Sequence, residues 1–272
     1  MEQYKKILAA VDGSEASLHA LNEAVRLSYW MRGSVRVISV VPPYEGDLRF
    51  AGVRDIKALM REPCETVLAK IKKTAEEIGA AVVAVCKEGE PFEKITEFAQ
   101  TEGCDLIITG VEEKHPLYRI LTGGVTGRII RSGTRDVLVI PHETYIDWNR
   151  ILVSTDCSQE GRRAAVRAIG IAKAYGGELL ILPVSGNRSA ETTKKSEEYY
   201  REIETLSSGI PHKFFSIAGN AALAITELAA EQKAGLIVLG PFTKKSSFDI
   251  FSKRTSETVI YSSPCPVLVV KY

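Results

Sequence analysis

The sequence predicts an α/β protein made of two tandem domains, each a doubly wound parallel sheet, related by a pseudo-twofold axis. Three observations predict it. A segment beginning Lys6-Ile7-Leu8-Ala9-Ala10-Val11-Asp12-Gly13-Ser14 returns as Arg150-Ile151-Leu152-Val153-Ser154-Thr155-Asp156-Cys157-Ser158, an offset of 144 (150 − 6). Such self-similarity marks a repeated structural unit. Within each copy, short apolar runs alternate with amphipathic stretches at helical period. The runs are continuously apolar rather than alternating, as in a parallel sheet covered by helices on both faces.

The elements of the first copy follow in order. Lys6–Val11 is short, apolar and rich in small and β-branched residues, and reads as the first strand. Asp12, Gly13 and Ser14 supply turn and N-cap chemistry. A helix is expected over about Glu15–Met31, with Leu18, Leu21 and Val25 on one face and Gly33 as its C-cap. Ser34–Val41 reads as the second strand, stopped by Pro42-Pro43. A loop and a long helix then run to about Gly79. Ala80–Cys86 is the third strand, and a helix spans about Phe92–Thr101. Asp105–Thr109 is the fourth strand. A last helix, about Val125–Ser132, precedes a fifth strand at Val137–Ile140.

The second copy repeats this order. Asp105-Leu106-Ile107-Ile108-Thr109-Gly110 returns as Gly235-Leu236-Ile237-Val238-Leu239-Gly240, with the offset reduced to 130 (235 − 105). The second copy is therefore 14 residues shorter (144 − 130), and the loss falls between residues 41 and 88. Tyr44, Phe50 and Met60 lie in or beside this extra stretch, as a lid, a contact surface or core packing. The domains are placed at 1–143 and 147–272, joined by a short polar link. The two last strands, Val137–Ile140 and Val267–Val270, are expected to pair and so cover two sheet edges. That makes the chain an internal pseudo-dimer, open to further homodimerisation.

Composition narrows the function classes. A net charge of +1, from 35 Lys and Arg against 34 Asp and Glu, gives no footprint for nucleic-acid binding. No apolar stretch reaches the roughly 20 residues of a membrane span, and the amino-terminal residues lack a signal-peptide pattern. A cytoplasmic location is expected. The five cysteines are scattered and contain no Cys-x-x-Cys pair. They are expected to be isolated, reduced and mostly buried. His19, His115, His142 and His212 have no metal-ligand spacing. Lys194-Lys195-Ser196-Glu197-Glu198 reads as the solvated face of a helix. There is no Walker loop, nucleophile elbow or zincin motif. An ordinary enzyme is not expected.

In a sheet of this kind, ligands bind beyond the carboxyl ends of the strands at the switch point. Here that means the loops after the first and fourth strands. Three segments at those places carry a resemblance. Ile7–Ser14, Asp105–Gly110 and the closing Cys265-Pro266-Val267-Leu268-Val269-Val270 resemble the universal stress protein family, over essentially the whole chain. The resemblance implies a Rossmann-like, adenine nucleotide α-hydrolase-like fold for each copy. It also implies a stress-response protein that binds an adenine nucleotide, AMP or ATP, with or without Mg2+.

The family's nucleotide loop is Gly-x2-Gly-x9-Gly-[Ser/Thr]. Glycines let backbone N–H groups approach phosphate, and the following helix offers its N-terminal dipole. In the first copy Gly110 matches the first glycine, Glu113 replaces the second, Gly123 matches the third, and Gly124 replaces the Ser or Thr. Val125 and Thr126 match the next two positions. By the same resemblance Asp12 holds the adenosine, with Ala10, Val11, Val40 and Thr109 around it. The carboxylate of Glu113 would repel phosphates unless a cation intervenes, so a monophosphate suits the loop better than a triphosphate. The second copy keeps Asp156 and Gly240. It places Thr243, Lys253 and Arg254 at the other loop positions, then Thr255 and Ser256 at a helix start. Binding is therefore expected mainly in the first copy. Two alternatives stand beside it: a scaffold acting through a protein partner without nucleotide, and a weak nucleotide hydrolase. Asp12 and Asp156 have a plainer reading as helix N-caps, although Ser14 and Ser158 are at least as well placed for that.

Overall fold

The structure is a computed structural model. It describes residues 4–43, 62, 64–69, 71–73, 82–112, 124–184, 190–216, 220–240 and 253–271. The side chains of 190–195 and 253–257 are outside the description. The chain forms two compact units, Glu2–Gly110 and Val111–Tyr272.

The first unit holds β1 (Lys6–Ala10), α1 (Glu15–Met31), β2 (Ser34–Val41), β3 (Val82–Glu88), α2 (Pro91–Thr101) and the body of β4 (Leu106–Val111). Its strands lie in the order β3-β2-β1-β4, and all three pairings are parallel. The chain winds outward from β1 through β2 to β3, then returns to β4 on the other side of β1. That reversal is the switch point expected from the sequence. Ile7, Leu8, Leu106, Ile107 and Ile108 are fully buried, as central parallel strands require. Residues 62, 64–69 and 71–73 are helical, which agrees with the expected long helix. The rest of that stretch, with Tyr44, Phe50 and Met60, lies outside the described residues.

The second unit holds α3 (Val125–Ser132), β5 (Asp136–Pro141), β6 (Arg150–Thr155), α4 (Gln159–Tyr175), β7 (Glu178–Pro183), α5 (Ala190–Leu206), β8 (His212–Phe214), α6 (Ala221–Glu231), β9 (Leu236–Leu239), α7 (Lys253–Ser262) and β10 (Val267–Val269). The order is β5-β10-β9-β6-β7-β8. All pairings described here are parallel except β5 with β10. That antiparallel pair is the expected one. Val139 faces Val267, Leu138 faces Leu268 and Val137 faces Val269, so the register is symmetric about the two leucines. It also draws α3 and β5, which belong to the first sequence copy, into the second unit.

Charge reinforces this seam. Asp136 is buried at the start of β5. Its Oδ1 accepts from the backbone N–H of Lys271 at 2.7 Å, and its Oδ2 lies 3.1 Å from the Arg167 guanidinium on α4. The Lys271 ammonium donates to the carbonyl of Ile130. Burial pushes the Lys271 pKa down, while Asp136 opposes that shift.

Both first helices are capped as their sequences imply. The Ser14 hydroxyl accepts from the N–H of Ser17 at 3.2 Å, and Ser158 accepts from Gly161 at 2.9 Å. The C-terminal reading needs correction. Gly33 is not the left-handed cap; Arg32 is, at φ 51°. Gly33 is needed because a Cβ there would sit 2.7 Å from the carbonyl oxygen of Lys5. In the second copy Gly176 takes the left-handed position at φ 76°, and Gly177 makes the close approach, to Trp148. Nothing surrounds a Cβ at Gly176, so substitution there tests conformation alone. Gly176→Ala is expected to cost about 1 kcal/mol, read as a lower urea midpoint at unchanged slope.

The cysteine expectation also needs correction. Cys64 and Cys86 form a disulfide, with Cα atoms 6.2 Å apart. Their separation of 22 residues hid the pairing from any motif. The bond ties the helical run carrying Cys64 to β3. Closing a loop of that length removes unfolded-chain entropy corresponding to about 3 kcal/mol. Cys104, Cys157 and Cys265 are not disulfide-bonded, and Cys104 and Cys265 are buried. Burial pushes the Cys104 thiol up to about 11 and the Cys265 thiol up to about 12.

Candidate functional site

In the first unit the carboxyl ends of β1 and β4 lie side by side, with Ala10 opposite Thr109. The chain leaves β1 through Val11, which is buried and donates its N–H to the carbonyl of Ile38 at 2.9 Å. Val40 is half-buried on β2, opposite Lys87. Asp12 follows and is exposed. Its Oδ1 accepts from the Ser14 N–H at 3.0 Å and from the Ser14 hydroxyl at 2.6 Å. Ser14 is therefore the N-cap, and Asp12 braces it. Partial desolvation works to raise the Asp12 pKa. Hydrogen bonds from Ser14 and Ser17 outweigh it, and the carboxyl is held below its ordinary range. A fixed, ionised and accessible carboxylate results at the switch point.

Beside it, Thr109 is buried, and its hydroxyl has no hydrogen-bond partner among the described residues. Buried hydroxyls are rarely left so. Gly110 has a packing reason of its own. A Cβ there would lie 2.1 Å from the carbonyl oxygen of Ala16 in the first turn of α1. Gly124, in the second unit, is different. It is the N-cap of α3 without a side-chain cap, and a Cβ there would meet nothing within 4 Å. Val125 and Thr126 form the first turn of α3. Gly123 and Glu113, with Lys114, His115 and Arg119, lie outside the described residues.

The second copy repeats the frame and changes its surroundings. Asp156 Oδ1 accepts from the N–H of Ser158 at 3.1 Å and from its hydroxyl. Yet Asp156 is buried where Asp12 is exposed. One cause lies on α4. The place of Ser17 is taken by Gly161, where a Cβ would be 2.8 Å from Asp156 Oδ1 and 2.7 Å from Thr155 Oγ1. Without that Cβ the carboxylate settles against the helix. A second change comes from α5. The Tyr199 hydroxyl bonds Thr155 Oγ1 at 2.5 Å, and the Cys157 thiol donates to the Tyr200 hydroxyl at 3.1 Å. Burial pushes the Tyr199 phenol well above its ordinary range, so it stays neutral.

Gly240 again packs on a helix, a Cβ lying 2.8 Å from the carbonyl oxygen of Glu160. Ser154 stands opposite Leu239, and its buried hydroxyl has no hydrogen-bond partner among the described residues. Among the described residues, each copy thus leaves one hydroxyl of this rung without a partner, but on opposite strands. Arg254, Thr255 and Ser256 lie in the first turn of α7, and Lys253 begins it. Thr243 lies outside the described residues.

Sequence reasoning missed Tyr199, Tyr200, Gly161 and Ser154. The adjacent tyrosines on a largely polar helix were the available signal; of the charge run read as a solvated face, Glu197 and Glu198 are exposed, but Ser196 is buried. Among the described residues, no three His, Cys, Asp or Glu side chains gather as a metal site. No helix among them is long and apolar enough to cross a membrane.

Comparison with known proteins decides the family. The model of the universal stress protein family matches residues 3–141 and again 147–271. The chain belongs to the universal stress protein family. A universal stress protein of Methanocaldococcus jannaschii is 37% identical over 139 residues, spanning 50% of this chain and 82% of its own. A second from that organism is 30% identical over 153 residues, spanning 50% of this chain and 94% of its own. The crystal structure of a universal stress protein from Archaeoglobus fulgidus superposes with a TM-score of 0.79 at 26% identity, covering 99% of this chain and 97% of that one. Half-length relatives therefore match one copy at a time, while the full-length neighbour shares both.

Proposed function

We propose that this universal stress protein is a stress-response sensor that binds an adenine nucleotide, AMP in preference to ATP, mainly through its first copy. The observation that carries the reading is that the switch point of the first unit holds an exposed, braced Asp12 carboxylate and a buried Thr109 hydroxyl with no hydrogen-bond partner among the described residues. A ribose diol donates to a fixed carboxylate, and a charged hydrogen bond of that kind contributes about 1.5–3 kcal/mol. Ala10, Val11 and Val40 supply strand-end backbone and apolar surface for the base. For the phosphate the support is the resemblance alone, which assigns Gly110, Gly123 and Gly124-Val125-Thr126 to the family's loop pattern. The replacement of the family's second loop glycine by Glu113 supports one phosphate over three, since a carboxylate at that loop position would repel phosphates unless a cation intervenes.

For the second copy a specific observation favours the other reading, that of a scaffold without nucleotide. Asp156 is buried, and the neighbouring Thr155 and Cys157 are engaged by α5 tyrosines. One site per chain is therefore expected. Titration calorimetry of the full chain with AMP and with ATP, with and without Mg2+, tests this. Asp12→Ala is expected to weaken AMP binding by about 10-fold or more while Asp156→Ala leaves it unchanged. Equal loss from both variants would mean two working sites. Absence of any binding would leave the scaffold reading for the whole chain.

A further inference from the structure

The disulfide and the candidate site meet on one helical run. Cys64 lies on that run and is buried, as are Leu68 and Ile71. Val67 lies between them, and its Cγ2 is 3.1 Å from where a Cβ at Gly13 would be. Gly13, at φ 88°, joins Asp12 to Ser14. Cys86 anchors the other end of the link on β3, opposite Ser39 of β2. One covalent bond thus pins to the sheet the same helical run that rests on the Asp12–Ser14 turn.

We propose that Cys64 and Cys86 form a redox pair that controls the adenosine side of the first-copy site, oxidation holding the Asp12 turn in its binding conformation. This rests on the nucleotide reading above. Cys86 is half-buried where Cys64 is buried, so the Cys86 thiolate is placed to react first with a small disulfide such as glutathione disulfide. A mixed disulfide forms and one glutathione thiolate leaves. The Cys64 thiolate then attacks the Cys86 sulfur, forming the Cys64–Cys86 bond and releasing the second glutathione thiolate. Two protein thiols are oxidised, and one small disulfide is reduced to two thiols. Loss of the bond frees the helical run near Gly13, and an unsupported turn must be ordered by the ligand itself.

The test uses the full chain equilibrated over a series of glutathione redox ratios. Alkylation and non-reducing peptide mapping read which cysteines are joined. AMP calorimetry and hydrogen exchange over residues 11–18 are measured on the same samples. The expected result is a Cys64–Cys86 link in the oxidised samples, with AMP bound at least about fivefold more tightly and slower exchange at the turn than in the reduced ones. Cys86→Ser should behave as the reduced protein at every ratio. If that variant does not fold, the wild-type series decides alone. Free thiols at every ratio, or identical affinity and exchange in both states, would overturn the proposal. If AMP binds in neither state but exchange at 11–18 still follows the disulfide, the coupling stands and the nucleotide reading fails.

Discussion

Gly110→Ala is expected to destabilise the protein by about 3 kcal/mol or more, although alanine adds a single methyl group. The added carbon would lie 2.1 Å from the Ala16 carbonyl oxygen and 2.8 Å from the Ser17 nitrogen. Both are backbone atoms in the first turn of α1, so no side-chain rotation relieves the clash. Either β4 or the start of α1 must shift, and the Asp12–Ser14 turn shifts with it. Two companion substitutions make the result diagnostic. At Gly240 the nearest backbone atoms are 2.8 and 2.9 Å away, so Gly240→Ala should cost less. At Gly124 nothing lies within 4 Å, and Gly124→Ala should cost only about 0.5 kcal/mol, the difference between the two residues as N-caps. Urea denaturation of the three variants measures the order. Equal costs at Gly110 and Gly124 would show that close packing on α1 does not explain the first glycine. The same series separates stability from binding, because loss of AMP binding by a well-folded Gly124 variant would come from the ligand.

Asp136→Ala is the second large effect, also about 3 kcal/mol. Its carboxylate is buried, accepts from the N–H of Lys271 and pairs with Arg167, whose side chain is only 18% exposed. Removing one partner of a buried pair leaves the other charge without compensation, which typically costs about 3–5 kcal/mol. The lower end is expected because Arg167 keeps some access to solvent. Arg167→Met in the Asp136→Ala background should recover part of the loss, since it removes the charge that Asp136 balances. A double-mutant cycle by urea denaturation reads the coupling. Strictly additive costs would show that the two side chains do not support each other across the β5–β10 seam.

Much of this was legible in the sequence because the forces that set it are local or repeated. The strand and helix order follows from hydrophobic period. Ser14 and Ser158 follow from capping, which acts over three residues. The pairing of Val137–Ile140 with the closing strand follows from the repeat, since two equivalent edges that pair cover each other. The positions of Asp12 and Gly110 at the carboxyl ends of β1 and β4 follow from the order of strands. Arg32 rather than Gly33 as the left-handed residue did not, because the demand on Gly33 comes from Lys5, which is remote in sequence.

Other features belong to the tertiary structure alone. Cys64 and Cys86, 22 residues apart, become partners only once the helical run and β3 are brought together in the fold. Asp12 and Asp156 share a motif and a hydrogen-bond pattern, yet one is open and the other buried. The difference is made by Gly161 and by tyrosines 43 and 44 residues along the chain from their bonding partners. Among the described residues, the Thr109 and Ser154 hydroxyls are seen to lack a partner only once the strands are in register. By itself the sequence determined the elements, their order and the repeated frame of the site, because periodicity and capping act between near neighbours. Which copy of that frame is accessible was decided by contacts between segments far apart in the chain, and such contacts exist only after the sheet has formed.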